Sequence, residues 1–227
     1  MANLEILFGE IDKFHYSEAC IDASEVDDFE SRSGYSFPDD LKIFYRRYKS
    51  VRLFSNEGFD ATYRFVPISE IHPTYIDIYG ADAEERGPST WLTICDVQDG
   101  NYIALDIASK NGSEYNYIDC FHETFAIPGA CLIIAKSFTE LLERALHGGQ
   151  ERLYYLEEGF QGHGDAMALT PENAIERIDN LEAPRQGWFV RFYQHGIVHH
   201  TYFYDSEYGG KEGSHYAAKE YVERNSG

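Results

Sequence analysis

The hydrophobic residues of the first fifty positions recur at helical spacing and predict two helices. The first begins at Ser24, a residue type that caps helix N-termini, places Val26 and Phe29 on one face, and ends before Gly34. The second begins at Pro38, with two acidic residues in its first turn. The inward side of the second helix is expected to consist of Leu41, Phe44, Tyr45 and Tyr48.

The period then changes to the alternation of apolar and polar residues that is typical of strands. Asp99-Gly100 and Asn111-Gly112 are tight-turn sequences between the later apolar runs. Strands joined by such short turns form an antiparallel meander, so we expect an α+β fold with an antiparallel sheet flanked by helices. The strands are expected at residues 61–66, 91–95, 101–106 and 114–119.

Beyond the meander, the pattern predicts one capped helix, a polar segment and a small β-rich unit. Ser137-x-x-Glu140 is a capping box that opens the helix. Thr170 opens another helix, which we expect to run through about Asn180 as a connector. A turn at His195-Gly196 then joins two strands of a hairpin. The predicted segments are a domain at 1–149, an acidic helical connector at 150–183 and a small β-β-β-α unit at 184–227.

The formal net charge of −20 is distributed unevenly along the chain. Residues 1–150 carry 26 acidic and 12 basic side chains, residues 151–183 carry 8 and 2, and residues 184–227 carry 5 and 5. A negative field repels nucleic acid from the first two segments and accelerates encounter with a basic protein. Acidity also keeps a protein in solution, so charge alone leaves both roles open.

Several classes of function lack their signatures in this sequence. No apolar stretch approaches 18 residues, and the N-terminus lacks the basic start of a signal peptide. No Walker loop, Gly-x-Gly-x-x-Gly or Gly-x-Ser-x-Gly occurs. We therefore expect a cytoplasmic protein that is not an enzyme, carries no cofactor and does not contact a membrane. The sequence leaves the oligomeric state open.

Metal binding is not favoured by the cysteines or the histidines. No Cys-x-x-Cys pair occurs, so we expect reduced and mostly buried thiols. His199 and His200 are adjacent in a predicted strand, and adjacent strand residues point to opposite faces, so they do not readily bind one ion. The four cysteines are Cys20, Cys95, Cys120 and Cys131.

Three pieces of the chain resemble the SUKH superfamily, which is named partly after a yeast glucan-synthesis regulator. The first, from Phe29 to Tyr45, contains Gly-Tyr-Ser-Phe-Pro-Asp-Asp-Leu, similar to the family's glycine, Leu-Pro and acidic helix opening. The second is the strand-turn-strand of residues 92–106, and the third is Ala-Lys-Ser-Phe-Thr-Glu-Leu-Leu at 135–142. The resemblance covers about residues 24–147, although Phe37 replaces the usual leucine.

The resemblance implies an α+β fold without catalysis. Many bacterial SUKH proteins are similar to immunity proteins that neutralise secreted or contact-delivered toxins, often nucleases. A basic nuclease and an acidic inhibitor are electrostatically matched. The candidate partner-binding residues are the acids of three predicted loops: Asp77, Asp82, Glu84, Glu85, Asp96, Asp99, Asp119 and Glu123.

The tail from Gly187 to Val222 resembles the small APETALA-type DNA-binding unit, with Gly-Trp-Phe-Val-Arg at 187–191 and Tyr-Gly-Gly-Lys at 208–211. Such units read a major groove with sheet residues. A DNA reader is expected to be basic, whereas this tail is neutral, which favours a packing or partner-binding appendage. The resemblance implies a reading face formed by Arg191, Tyr193, His199 and Thr201.

These observations lead to one principal hypothesis and two alternatives. The principal hypothesis is an immunity or antitoxin-type protein that neutralises a basic toxin, expected to be a nuclease. The first alternative is a regulator that binds DNA through its tail. The second is a scaffold or a regulator of cell-wall synthesis.

Overall fold

Two compact units make up this protein in the computed structural model. The structure describes residues 3–55, 62–83, 86–148, 152–179 and 185–226. The first unit comprises Met1–Glu123 and Leu132–Gly164, and the second comprises Thr124–Cys131 and Asp165–Gly227. The predicted division at 1–149, 150–183 and 184–227 has other limits and stays a prediction.

The first unit combines five helices and seven strands among its described residues. Its helices are α1 (Leu4–Phe14), α2 (Ser24–Ser33), α3 (Asp39–Arg47), α4 (Thr74–Tyr79) and α5 (Phe138–His147). Its strands are β1 (Tyr16–Ala19), β2 (Tyr48–Leu53), β3 (Tyr63–Phe65), β4 (Trp91–Asp96), β5 (Tyr102–Asn111), β6 (Glu114–Cys120) and β7 (Ile133–Ala135). Short 3-10 turns occupy Ile68–Glu70 and Tyr154–Leu156.

The strands of the large sheet are ordered in space as they are in the chain, from β1 to β7. Each strand is antiparallel to the next, which confirms the predicted meander of β4, β5 and β6. Asp96 lies opposite Tyr102, and Tyr102 lies opposite Cys120. This register brings the end of β4, the start of β5 and the end of β6 to the same end of the sheet.

The main hydrophobic core lies between one face of this sheet and the helices α1, α2, α3 and α5. Phe44 of α3 is fully buried at its centre. Its ring centroid lies 4.7 Å from that of Phe138 and 5.6 Å from that of Phe65. Burying one such ring contributes about 1.5–3 kcal/mol. The predicted inward positions Leu41, Phe44, Tyr45 and Tyr48 are all buried.

The capping box that the sequence predicts for α5 is formed. The Ser137 hydroxyl accepts a hydrogen bond from the backbone N–H of Glu140 at 3.1 Å. The Glu140 carboxylate accepts from the backbone N–H of Lys136 at 2.6 Å, one residue before the cap. The first interaction satisfies an N–H group that the helix itself leaves unpaired, and the second fixes the residue that precedes the cap.

The second unit is a three-stranded antiparallel sheet with a helix on one face. Its strands are ordered β10-β9-β8, and α7 packs against β9 and β10. The predicted turn at His195-Gly196 is confirmed, with left-handed φ values of 51° and 81°. The elements are α6 (Pro171–Ala174), β8 (Ile175–Ile178), β9 (Gly187–Gln194), β10 (Ile197–Tyr204) and α7 (Lys211–Asn225).

The prediction of a connector helix from Thr170 through about Asn180 is wrong. The helix ends at Ala174, and the chain continues directly as β8, in which Ile175 pairs with Val190. Ile175 packs on the apolar core of the second unit, so tertiary contacts override the local helix signal. The first strand of the β-β-β-α unit therefore precedes residue 184. The predicted α+β class, with a small C-terminal unit of three strands and a helix, is confirmed.

The segment Thr124–Cys131 belongs to the second unit because its backbone is bonded there. The Tyr193 N–H donates to the Pro128 carbonyl at 2.8 Å, and the Gly129 N–H donates to the Met167 carbonyl at 3.0 Å. Gly129 has φ +87°, and a Cβ on it would lie 2.3 Å from the Tyr193 carbonyl oxygen. This close approach requires glycine.

Candidate functional site

The end of the large sheet at which β4, β5 and β6 meet gathers acidic and aromatic side chains. The β4–β5 turn lies beside the residues that follow β6. The Asn101 side-chain oxygen accepts from the backbone N–H of His122 at 3.1 Å and lies 2.9 Å from the His122 Nδ1 atom. We call this region the sheet-end surface and define it by Asp96, Asp99, Tyr102, Phe121, His122 and Glu123.

The β4–β5 turn holds Asp99 outward through an uncommon backbone conformation. Gln98 and Asp99 have φ values of 76° and 54°, a left-handed region that residues other than glycine seldom occupy. The Asp96 carboxylate supports the turn by accepting from the Gln98 N–H at 2.9 Å. Asp99 is exposed, and it has no ion pair among the described residues.

Asp96 is held in place by an arginine. Arg64 of β3 donates to the Asp96 carboxylate from Nη2 at 3.2 Å and from Nε at 3.3 Å. The same guanidinium donates to Glu70 at 2.9 Å. Part of the negative charge of Asp96 is thus neutralised within the unit.

Asp77 takes part in a network that fastens α4 to the sheet. Its carboxylate accepts from the Thr93 hydroxyl at 2.6 Å and lies 2.9 Å from the His72 Nε2 atom. The Thr74 hydroxyl donates to the carbonyl of Trp91, which is buried. Asp77 therefore holds the helix against β4, besides adding negative charge near the sheet-end surface.

Tyr102 lies within the field of these carboxylates. Its side chain is partly buried, and burial raises the pKa of its phenol, as do the charges of Asp77 and Asp96. The phenol therefore keeps its proton at neutral pH and can donate a hydrogen bond.

Asp119 differs from the other acids because it lies on the core face of the sheet, opposite Ile103. Burial raises the pKa of its carboxyl to about 7. The buried hydroxyl of Tyr155 has no hydrogen-bond partner in the described chain, and burial together with the Asp119 charge raises its pKa. Asp119 is thus only partly ionised at neutral pH, unlike an exposed aspartate.

The expectation that all the candidate acids lie in loops is wrong for three of them. Asp77 lies in α4, a helix that the pattern did not indicate, and Asp96 lies in β4, which runs one residue beyond the expected strand. Asp119 lies in β6, within the strand expected at 114–119. Asp82, Asp99 and Glu123 are exposed and form no ion pair within the part of the chain that is described. Glu84 and Glu85 lie outside the described residues.

Several acidic residues elsewhere on the first unit are paired with bases. Arg47 lies 2.6 Å from Asp12 and 3.4 Å from Glu5, and Arg46 lies 3.1 Å from Asp27. The Arg47 and Tyr48 hydrogen bonds lower the pKa of Asp12. The charge that is free for a partner is thus concentrated on fewer residues than the composition indicates.

The sequence reasoning missed the aromatic part of the site. Tyr102 was placed in a strand, and Phe121, which is 37% exposed, was not considered. The register of the predicted hairpins could have indicated these aromatic residues, because it places the start of β5 beside the end of β6.

Residues 20–144 match the family model described as SMI1 / KNR4 family (SUKH-1). The chain belongs to this family. The match confirms the resemblance seen in the sequence and includes the whole sheet-end surface.

One curated relative is the immunity protein YokJ of Bacillus subtilis (strain 168). It is 28% identical over 138 residues, which cover 58% of this chain and 78% of that protein. No solved structure matched this chain.

Residues 165–227 lie beyond the SUKH-1 match, and their sheet does not form the predicted reading face. Arg191 lies opposite His200, whereas Thr201 lies opposite Val190 in the core. His199 stacks on Phe192 at 5.0 Å, also on the α7 side. The expectation of one face formed by Arg191, Tyr193, His199 and Thr201 is therefore wrong, because side chains alternate along each strand. Arg191 instead shares its face with Phe189, His200 and Tyr202.

The described residues offer neither a metal site nor a membrane-spanning helix. They contain no group of three or more His, Cys, Asp or Glu side chains that could hold a metal ion. No helix in the described ranges has the length and apolar character needed to cross a membrane.

Proposed function

We propose that this SUKH-1 protein is an immunity protein that acts in the cytoplasm, without catalysis, by binding a toxin. The similarity to a protein named as an immunity protein supports this role. The proposed partner is basic, and a nuclease is the class that we favour, because a protein that binds nucleic acid presents a basic cleft.

One observation carries the proposal about the binding site: the meander brings unpaired acids together with the exposed ring of Phe121 and the partly buried ring of Tyr102. Asp99 and Glu123 are far apart in the chain, yet the pairing of β4, β5 and β6 places both at one end of the sheet. Tyr102 lies opposite Cys120, and Phe121 directly follows Cys120 at the same end of the sheet. Aromatic anchors surrounded by charge are typical of the centres of protein interfaces.

In the proposed complex, the sheet-end surface covers the substrate-binding cleft of the toxin. Asp99 and Glu123 would pair with lysines or arginines that otherwise contact phosphate. The charges of Asp77 and Asp96 would extend the negative field around this contact. The fixed positions of Asp77 and Asp96 reduce the ordering cost of binding. Asp119 would contribute less, because its carboxyl is partly protonated at neutral pH.

Coexpression with the candidate toxin of the neighbouring gene tests the function. We expect the chain to restore growth to cells that make the toxin and to co-purify with it in equal amounts. Growth arrest in the presence of normal amounts of the folded chain would contradict an immunity role for that pair.

A double variant tests the site. Asp99→Asn with Glu123→Gln removes two negative charges from the sheet-end surface, and we expect toxin affinity to fall by at least about tenfold. Glu25→Gln with Asp28→Asn removes two exposed charges from α2 and serves as the control. Equal affinities of the two double variants would show that the toxin binds elsewhere, even if neutralisation is observed.

A further inference from the structure

The hairpin of the second unit lies in the longest stretch of the chain without an acidic residue. Residues 183–204 contain no Asp or Glu, although the chain has 39 such residues in 227. Within β9 and β10 the one formally charged side chain is Arg191. The hairpin is therefore a nearly neutral region in a protein with a net charge of −20.

The strand β10 is the edge of the second sheet and has an unpaired outer side. It is eight residues long and contains no Lys, Arg, Asp, Glu, Pro or Gly. Ile197 and Tyr202 are 60% and 45% exposed. Within the described chain, no further strand and no side chain bonds to its backbone, and the one loop contact is the Glu207 N–H to the Tyr204 carbonyl. Monomeric proteins usually protect such edges with charge, proline or a bulge.

We propose that two copies of this protein associate by antiparallel pairing of β10 with β10, which joins their small sheets into one sheet of six strands. A β edge is complementary to itself, because both copies offer unpaired N–H and carbonyl groups. The near-neutral charge of the hairpin favours a second copy of this chain over other partners. A neutral hairpin offers no attraction to a basic toxin and lacks the basic patch that nucleic acid requires.

Electrostatic repulsion between two copies of the protein also favours contact through the hairpin. Two copies of charge −20 repel wherever their acidic surfaces meet, and the first unit has 29 acidic against 13 basic residues. Pairing through β10 brings no carboxylate of the hairpin itself into the contact. Salt screens the remaining repulsion, so the dimer is expected to strengthen with ionic strength. Binding of a basic toxin or of nucleic acid would weaken instead.

The alternation of faces restricts the register of the pairing. Directly opposed residues of an antiparallel pair lie on the same face of the sheet. The two-fold axis must therefore lie midway between the two copies of one residue, so that this residue is opposite itself. An axis at Thr201 opposes two threonines, which is a favourable cross-strand pair, and places His200 opposite Tyr202 of the second copy. An axis at His200 would oppose two histidines. We therefore place the axis at Thr201.

Light scattering of the full chain tests the association. We expect the mass to rise from 26.1 kDa towards twice that value as concentration increases from about 1 to about 100 μM, and to rise further with added salt. A mass of one chain throughout this range would overturn the proposal. Tyr202→Lys, at an exposed position of the same edge strand, should abolish the dimer, whereas Ser113→Lys, with the same charge change in the β5–β6 turn, should not.

Cysteine cross-linking tests the register. With Cys20→Ser as background, Thr201→Cys should form a covalent dimer on mild oxidation, because opposed Cα atoms lie about 4.5–5.5 Å apart, within reach of a disulfide. Ile197→Cys is the control, since its two copies would be about 27 Å apart, although this position is more exposed. Equal or faster cross-linking at Ile197 would exclude the proposed pairing. Neither result bears on toxin neutralisation, so the two proposals can fail separately.

Discussion

Asp40, in the first turn of α3, caps α5 through Thr139. Its carboxylate accepts hydrogen bonds from the Thr139 backbone N–H at 2.8 Å and from the Thr139 hydroxyl at 3.0 Å. These residues are 99 positions apart in the chain. The contact joins the two helices that pack around Phe44, and it satisfies an N–H group that Ser137, the local cap, does not reach.

Asp40→Ala should therefore destabilise the first unit. We expect the free energy of unfolding in urea to fall by about 1–2 kcal/mol, because the Thr139 N–H loses its acceptor. Asp39→Ala is the matched control, since the Asp39 side chain is 99% exposed, and its effect should stay within about 0.5 kcal/mol. Equal losses for both variants would show that the contact between the helices contributes nothing.

Asp119 should make stability depend on pH in an unusual direction. Burial raises its pKa to about 7, so between about pH 4 and pH 7 the folded state holds a proton that the unfolded state has lost. The contribution of Asp119 to stability should thus decrease as pH rises through this window and become constant above it. An asparagine at position 119 does not titrate, so this loss is absent in Asp119→Asn. The free energy of unfolding of the variant, relative to that of the natural chain, should therefore increase as pH rises from about 5 to about 8.

The measurement is urea unfolding of both proteins across that pH range. Asp99→Asn provides the control for the substitution itself, because Asp99 is exposed and its replacement should change stability by no more than about 0.5 kcal/mol. A constant difference between Asp119→Asn and the natural chain would mean that the Asp119 carboxyl titrates alike in the folded and unfolded states.

Phe121→Ala should weaken toxin binding without unfolding the protein. The ring is 37% exposed, so its removal costs little stability, but a central aromatic anchor commonly contributes more than tenfold in affinity, or about 1.4 kcal/mol. Ile21→Ala is the control, since Ile21 is 94% exposed on another part of the unit. Calorimetric titration with the toxin measures both variants. Unchanged affinity of Phe121→Ala would remove this ring from the interface.

Gly129→Ala should disturb the second unit. The added Cβ would lie 2.3 Å from the Tyr193 carbonyl oxygen, so the segment Thr124–Cys131 would have to move away from β9. Gly209→Ala is the control, because Gly209 has a similar φ of +75° but open space at its Cβ. We expect faster amide hydrogen exchange in β9 for Gly129→Ala alone. Equal exchange in the two variants would show that the close approach is not needed.

The elements that could be predicted from the sequence are those with strong local signals. Ser137 and Glu140 formed the capping box of α5, and Asp99-Gly100 marked the turn of the meander. Signals of this kind act over a few residues and depend little on the remainder of the chain. The helix predicted after Thr170 was wrong because Ile175 found a strand partner in Val190, which lies beyond the range of local patterns.

The candidate site was predictable in its chemistry and less so in its arrangement. Acidity marked Asp77, Asp96 and Asp99, but composition does not reveal that Arg64 neutralises one carboxylate or that Thr93 holds another. The four candidate residues of the tail were chosen without the strand register. A shift of one position moves a side chain to the opposite face of a sheet, as it does for His199 and Thr201.

The sequence by itself determined the family, the class of fold and the excess of negative charge, because each of these depends on residue types and their local spacing. The tertiary structure alone decided which carboxylates are free. Asp99 points to solvent, Asp96 is paired and Asp119 is largely desolvated, since the dielectric environment and the partners of a side chain are set by residues distant in the chain. The same long-range pairing decided which strand became the unpaired edge of the second sheet.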